Sequence, residues 1–296
     1  MSSMVYAKLP RAGLGNKLFV WARAFLFARN NSLPLVVTRW WLTPKNHIFG
    51  GNKIHTYMFY FKATNQSGLF RSLYNLFLYM KIKEPETGKT EVQSKTVYFF
   101  NEVPHWGDYF GGLRNNRNEI RDGLFNILTK SRSNEIKKTE NPIICVQIRM
   151  GDFKPLKDGE DFATVGITRT PLKYFVDLIC NIRKLAKSNL PVTVVTDGQL
   201  NELKEIFDLG NVVMGGRHSA IADIFMMSKS KILITSAGST FGYWGGFLGD
   251  NILIMHPQHL HTAIRPAYVN EKFYEGPAIG DINEWPELLK NNIQDI

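Results

Sequence analysis

The chain has 296 residues, 44% hydrophobic and 21% charged, which excludes a disordered protein and is too long for one typical core. A net charge of +10 and a pI near 9.5 favour an anionic ligand or an acidic membrane surface. The basic residues are dispersed, with no zinc-finger spacing, RNP-like aromatic run or basic amphipathic helix, so no nucleic acid partner is expected.

Met1 to Leu9 lacks the charged start and apolar stretch of a signal peptide and runs directly into a strand-like segment. The nearest approach to a membrane span, Ala237 to Leu248, is too short and too rich in glycine. Cys145 falls in a predicted strand and Cys180 in a predicted helix, so a reducing, cytoplasmic setting is the simplest expectation, a distant disulfide between them staying open. The positive charge adds the expectation of peripheral contact with the anionic inner face of a membrane.

In chain order, Val5 to Leu9 predicts a strand, Gly13 to Asn16 a tight turn, Lys17 to Phe27 a helix and Pro34 to Thr38 a second strand, a βαβ opening. Trp40 to Tyr79 is aromatic-rich and shows no clear period. Thr96 to Phe100 predicts a strand and Arg114 to Thr129 a helix. The densest charged stretch, Lys130 to Asn141, reads as a solvated linker, giving domains at 1–140 and 141–296. Strands then follow at Ile143 to Ile148, Val192 to Thr196, Val212 to Met214, Lys231 to Thr235 and Ile252 to Met255. Helices alternate with them at Pro171 to Lys187, Leu200 to Phe207, Ser219 to Met227 and Ser239 to Gly249, and another closes the chain near Glu284 to Asn292. This alternation predicts an α/β protein with parallel, doubly wound sheets.

Three segments carry chemistry. In Arg11-Ala-Gly-Leu-Gly-Asn16 the glycines allow backbone to approach a ligand, and the following helix offers unpaired amides to a phosphate. Leu18 and the lack of an acidic residue after Val36-Val-Thr-Arg-Trp argue against a dinucleotide fingerprint. In Pro142 to Phe153 a buried strand delivers Arg149 and Asp152 to a turn at its carboxyl end, where open α/β sheets build active sites; a surface ion pair is the plainer alternative. In Ser236 to Leu248 a strand opens into a helix with the hydroxyls of Ser239 and Thr240 at its start, suited to an anion or simply to N-capping. Glycines 242, 245 and 246 each cost a helix about 1 kcal/mol unless something packs closely there.

The order of these segments resembles that of the GDP-fucose-dependent α-1,2-fucosyltransferase family. Gly13-Leu-Gly-Asn-Lys-Leu-Phe19 is similar to the family's amino-terminal glycine turn. Gln147-Ile-Arg-Met-Gly-Asp152 resembles its central strand-turn motif, Thr196-Asp197-Gly198 its Ser/Thr-Asp step, and Ser239-Thr-Phe-Gly-Tyr-Trp244 its Ser-Thr-Phe-x-x-Trp segment. The resemblance implies a GT-B-like fold, two Rossmann-like domains facing across a cleft, with the nucleotide sugar held by the carboxy-terminal domain and the acceptor mostly by the amino-terminal one. It implies GDP-fucose as donor, no metal or other cofactor, a glycan or lipid-linked saccharide as acceptor (the 2-hydroxyl of galactose), and inversion at the anomeric carbon.

Chemistry and resemblance together assign roles. Arg149, with Ser239, Thr240 and Phe241, neutralises the leaving diphosphate, and Asn16 is expected to reach it from the amino-terminal domain. Gly13 and Gly15 line the donor, and Gln147 meets the nucleobase. Asp197 takes the base or ribose, or else caps the next helix. Asp152 is the candidate general base, or else orients Arg149. Two positions depart from the family: Gln147 stands where His is usual and Met150 where a second Arg is usual, which leaves another deoxysugar nucleotide, or a weakened binding relative, as alternatives. The histidines in His256-Pro-Gln-His-Leu-His261 read as a loop rather than a metal site, because Pro257 breaks helical presentation.

Overall fold

The computed structural model describes residues 3–38, 40, 57, 59–62, 79–151, 153–157, 159–160, 162, 168–259 and 262–296. Most of the aromatic stretch after Trp40, the candidate base Asp152 and His261 lie outside the described residues. The chain forms two compact units, Met1–Asn134 and Glu135–Ile296. Each is an α/β layer structure on a parallel sheet, because strands joined through helices must run parallel.

In the first unit, β1 (Met4–Ala7), β2 (Leu35–Val37), β3 (Met80–Lys83) and β4 (Thr96–Phe100) lie in the order β2-β1-β4-β3. Helix α1 (Leu14–Asn30) joins β1 to β2 and is buried over most of its circumference, so its apolar residues lack the one-sided pattern of a surface helix. Phe27 packs on Tyr98 and Phe100 of β4, with ring centroids 4.7 and 5.7 Å away. The chain leaves β1 towards β2 on one side while β4 flanks it on the other. β1 and β4 are thus the two central strands, and the loops at their carboxyl ends stand side by side.

In the second unit, β5 (Ile144–Ile148), β6 (Val192–Thr196), β7 (Val212–Met214), β8 (Ile232–Thr235), β9 (Ile252–Ile254) and β10 (Glu275–Gly276) take the order β10-β9-β8-β5-β6-β7. Residues of β5, β8 and β9 are buried throughout, as near-continuous apolar runs covered on both faces must be. The helix Leu172–Ala186 presents Phe175, Leu178, Ile179 and Ile182 to this sheet, each worth about 1.5–3 kcal/mol when fully buried. The final helix, Glu287–Gln294, adds Leu289 and Ile293 to the same core.

Lys130 to Asn141, read as a solvated linker, is mostly exposed and largely helical. It holds a helix, Lys130–Lys138, whose one apolar residue, Ile136, is buried, and the unit boundary falls within it. The Lys229 ammonium ties down its end, donating to the Ile136 carbonyl at 2.6 Å and to Thr139 Oγ1 at 2.8 Å. A charge run with a single apolar residue gave no periodic signal for this contact.

Candidate functional site

Register builds the site. Ile148 pairs with Thr196 across β5 and β6, and Gln147 pairs with Thr235 across β5 and β8, so the three strands end nearly level. The next residues, Arg149, Asp197 and Ser236, therefore stand together. The Arg149 guanidinium pairs with one carboxylate oxygen of Asp197, whose other oxygen accepts the Met150 N–H at 2.7 Å. The Ser236 hydroxyl accepts the Arg149 N–H at 2.8 Å and donates to the Gln147 carbonyl at 3.1 Å. The Arg149 guanidinium also lies 5.7 Å from the Phe153 ring centre.

This arrangement shows what the local residue choices accomplish. A Cβ on Gly151 would come within 2.4 Å of the Asp197 carboxylate, and one on Gly198 within 2.7 Å of the Met150 side chain, so both turns need glycine for the strands' ends to meet. Asp197 is not the cap of the helical turn Leu200–Leu203. Gln199 takes that place in a capping box with Glu202. Glu202, held below the ordinary carboxylate range by the Gln199 N–H and then by Arg169, anchors Arg169 Nη1 at 2.9 Å. Arg169 Nε in turn donates to the carbonyls of Met150 and Phe153 at 3.0 and 3.1 Å, clamping the turn that carries Arg149. Arg169 and Ser236 were not legible as site residues in the sequence because they act on backbone atoms of distant segments, and Glu202 because it acts through Arg169, 33 residues away.

Beyond Ser236 the chain turns at Gly238, with φ +66°, into the helix Thr240–Leu248. The turn is fixed by two bonds: Ala237 N–H to Thr170 Oγ1 at 3.0 Å and Gly238 N–H to the Tyr243 hydroxyl at 2.8 Å. Ser239 occupies the cap position without a side-chain cap bond, and no acidic residue lies in the first turn. The positive end of this helix is thus left for an anion, and the amides of Thr240 and Phe241 have no earlier carbonyl of the helix to bond. The helical glycines are explained by packing. A Cβ at Gly242, Gly245 or Gly246 would lie 2.6 Å from Gln147 Oε1, 2.7 Å from Met227 or 2.6 Å from Leu253. Gln147 itself is buried beneath Gly242, with its Oε1 3.4 Å from the Ser236 amide.

Gly13, Gly15 and Asn16 belong to the other unit. Gly13 immediately precedes α1, and the space where its Cβ would stand is open to 4 Å, so no protein neighbour requires glycine there. Asn16 Oδ1 is buried with no hydrogen-bond partner among the described residues, as an atom awaiting a ligand would be. Next to it Lys17 is buried; its ammonium donates to the Pro10 carbonyl at 2.7 Å, and burial pushes its pKa down to about 8.

That shift makes a prediction. Below pH 8 folded and unfolded chains both carry the Lys17 proton, so the folded state bears the full burial cost; between 8 and the ordinary 10.5 the unfolded chain binds more protons and stability rises with pH. Lys17→Met is expected to raise stability at pH 7 by on the order of 1–2 kcal/mol, less than the whole shift because the Pro10 carbonyl loses its donor. Urea midpoints of the two proteins should converge as pH rises from 8 towards 10.

At the end of β9, His256 is buried, its ring 4.7 Å from those of Phe162 and Tyr174, and its Nδ1 accepts the Gln258 N–H at 3.3 Å. Among the described residues, no group of His, Cys, Asp or Glu forms a metal cluster, and no helix is long and apolar enough to cross a membrane.

Two parallel α/β units, one carrying a guanidinium and an uncompensated helix start at level strand ends, define a GT-B-type glycosyltransferase fold. Fucosyltransferase NodZ from Bradyrhizobium shares that fold at 13% identity, with a TM-score of 0.54 over 88% of this chain and 97% of that one. Weaker alignments are found with POFUT1 in complex with GDP-fucose (TM-score 0.47, 11% identity, 84% of this chain and 95% of that one) and with Arabidopsis thaliana FUT1 in complex with GDP (0.45, 14%, 90% and 74%). No curated protein matches the sequence. The sequence model of glycosyl transferase family 11 matches residues 74–265, and the chain belongs to that family of fucosyltransferases. The match includes Gln147, Arg149, Asp197 and Ser239 to Phe241, and excludes Gly13 to Asn16.

Proposed function

We propose that this chain transfers fucose from GDP-fucose to a saccharide hydroxyl, the 2-hydroxyl of galactose, in one inverting displacement. The observation that supports the reading is the level ending of β5, β6 and β8, which puts the Arg149 N–H on the Ser236 hydroxyl, four residues before the uncapped Thr240–Leu248 helix, and the Arg149 guanidinium on Asp197. In the reaction a lone pair of the acceptor oxygen forms the new bond to the anomeric carbon. The bond from that carbon to the β-phosphate oxygen breaks, and its electron pair leaves with GDP. Arg149, the Ser239 hydroxyl and the amides of Thr240 and Phe241 stabilise the charge that develops on the diphosphate, so the reading calls for no metal. Asp197 holds the guanidinium in place through the bond it shares with the Met150 amide. Asp152, three residues after Arg149, receives the acceptor's proton.

A second reading, a binder that holds the donor without turnover, rests on Met150, which supplies no cation where the resembled family has a second Arg. Calorimetry against GDP, UDP and a nicotinamide dinucleotide, followed by product analysis with GDP-fucose and galactose- or N-acetylglucosamine-terminated acceptors, separates the two. GDP binding with fucose appearing on galactose O2 is the expected result. GDP binding without any product selects the binder, and preference for UDP or the dinucleotide overturns the donor assignment.

A further inference from the structure

We propose that a cavity at the carboxyl end of β4 in the first unit seats one neutral hexose ring; as the acceptor's seat it rests on the transferase reading above. The cavity is about 280 Å³ and is lined by Arg23, Glu102, His105, Asp108, Tyr109 and Leu113 among others. That is at the lower edge of the roughly 300–1,000 Å³ of small-molecule pockets, suited to a single sugar ring and too small to enclose a nucleotide sugar. It follows β4, which lies beside β1 in the middle of the sheet, at the carboxyl end of the strands where open α/β sheets take ligands.

The charges select a neutral ligand. Around the cavity the carboxylates of Glu84, Glu102 and Asp108 face the cations Arg23, paired with Glu84 at 2.5 Å, and Arg114, paired with Asp108 at 2.7 Å, so the local balance is negative. The Glu102 carboxylate, exposed and with no side-chain partner among the described residues, repels phosphates and uronic acids and accepts hydrogen bonds from hydroxyls. His105 Nδ1 accepts the Gly107 N–H at 3.2 Å, which leaves the neutral ring's proton on Nε2 as a donor. Apolar contact comes from Pro104, Leu113 and the Tyr109 ring, which is stacked on Phe19 with centroids 5.0 Å apart.

Trp106 completes the argument. It follows His105 directly, its ring centroid 5.6 Å from the imidazole, and it is 58% exposed in a short helical turn, Trp106–Asp108. An indole more than half exposed, between the lining residues His105 and Asp108 in sequence, is placed to pack on the C–H side of a sugar ring, while carboxylates and imidazole take its hydroxyls.

The test is a glycan array spanning galactose-, glucose-, mannose-, N-acetylhexosamine- and uronic-acid-terminated saccharides. It is probed with the wild type, Trp106→Ala and Glu102→Gln, with GDP calorimetry and circular dichroism on the same preparations. Neutral hexose-terminated glycans are expected to bind the wild type and to bind each variant about tenfold more weakly, with GDP affinity unchanged. Equal binding by both variants, binding confined to uronic acids, or no bound glycan on a folded wild type overturns the proposal. Glycan binding lost in the variants while GDP binds none of the three proteins supports the pocket and refutes the donor reading alone.

Discussion

Arg149→Ala is expected to lower fucose transfer by about 10²–10³-fold, the cost of removing one preorganised donor from a developing oxyanion. Its GDP affinity should fall by roughly 1.5–3 kcal/mol, the range for a charge-assisted bond. The guanidinium is fixed through a chain of contacts. Asp197 grips it, Asp197 is itself held by the Met150 amide, and the carbonyls of Met150 and Phe153 are clamped by Arg169. Arg149→Lys keeps the charge but loses the planar fork, so it should recover only part of the rate. Asp197→Asn places an amide NH₂ against either the guanidinium or the Met150 N–H, donor against donor, and should lose both rate and GDP affinity while leaving the charge of Arg149 intact. Steady-state rates and GDP calorimetry check the series. A rate within a few-fold of wild type for Arg149→Ala would remove Arg149 from the chemistry.

Where the sequence carried its own signal, reading and structure agree closely. β4, β6 and β7 have the predicted bounds, and β5, β8 and β9 differ by one terminal residue, because continuous apolar runs between turns leave little choice. β3 was not legible. Its Met80-Lys81-Ile82-Lys83 alternates apolar and charged residues but is too short to show a period, and Lys81 and Lys83 are exposed on an edge strand, where charge guards against further pairing. β10, two residues long, has too little sequence to show a period at all. In the site, the motif residues could be named because glycine, hydroxyl and guanidinium occur together at strand ends. The Arg149–Asp197 pair could not, since its partners are 48 residues apart and meet only through the register of β5 and β6. The glycines of the Thr240–Leu248 helix were legible as a close approach, but what approaches, Gln147, Met227 and Leu253, is decided by the packed sheet. Position 239 shows the converse: Ser is the commonest kind of N-cap, yet here its hydroxyl makes no cap bond.

Arg265→Leu is expected to destabilise the second unit by about 3–5 kcal/mol, a large share of the roughly 5–15 kcal/mol typical of a folded domain. Arg265 and the Glu275 side chain are fully or almost fully buried. Arg265 Nε donates to Glu275 Oε2 and Asn270 Oδ1, both at 3.0 Å; Nη1 donates to the Asn251 carbonyl at 2.6 Å, and Nη2 to the carbonyls of Phe273 and Tyr274 at 3.2 and 3.0 Å. Glu275 in turn accepts the backbone N–H of Ile264 at 2.6 Å. Leucine would strand a buried carboxylate and the carbonyl oxygens of Asn251 and Phe273 near the seam where β10 joins β9. Replacing a buried ion pair by two apolar residues is often neutral, because a pair's Coulombic gain roughly offsets its desolvation. Here that rescue should fail. In Arg265→Leu with Glu275→Leu, the carbonyls of Asn251 and Phe273 and the Ile264 amide would still lack these partners, each at about 1–3 kcal/mol, while the Tyr274 carbonyl keeps the Leu253 N–H at 2.8 Å. Urea unfolding of the single and double variants decides the point. A double variant as stable as wild type would show that the guanidinium contributes through its charge alone, whereas continued loss shows that the backbone of three separate segments folds around it.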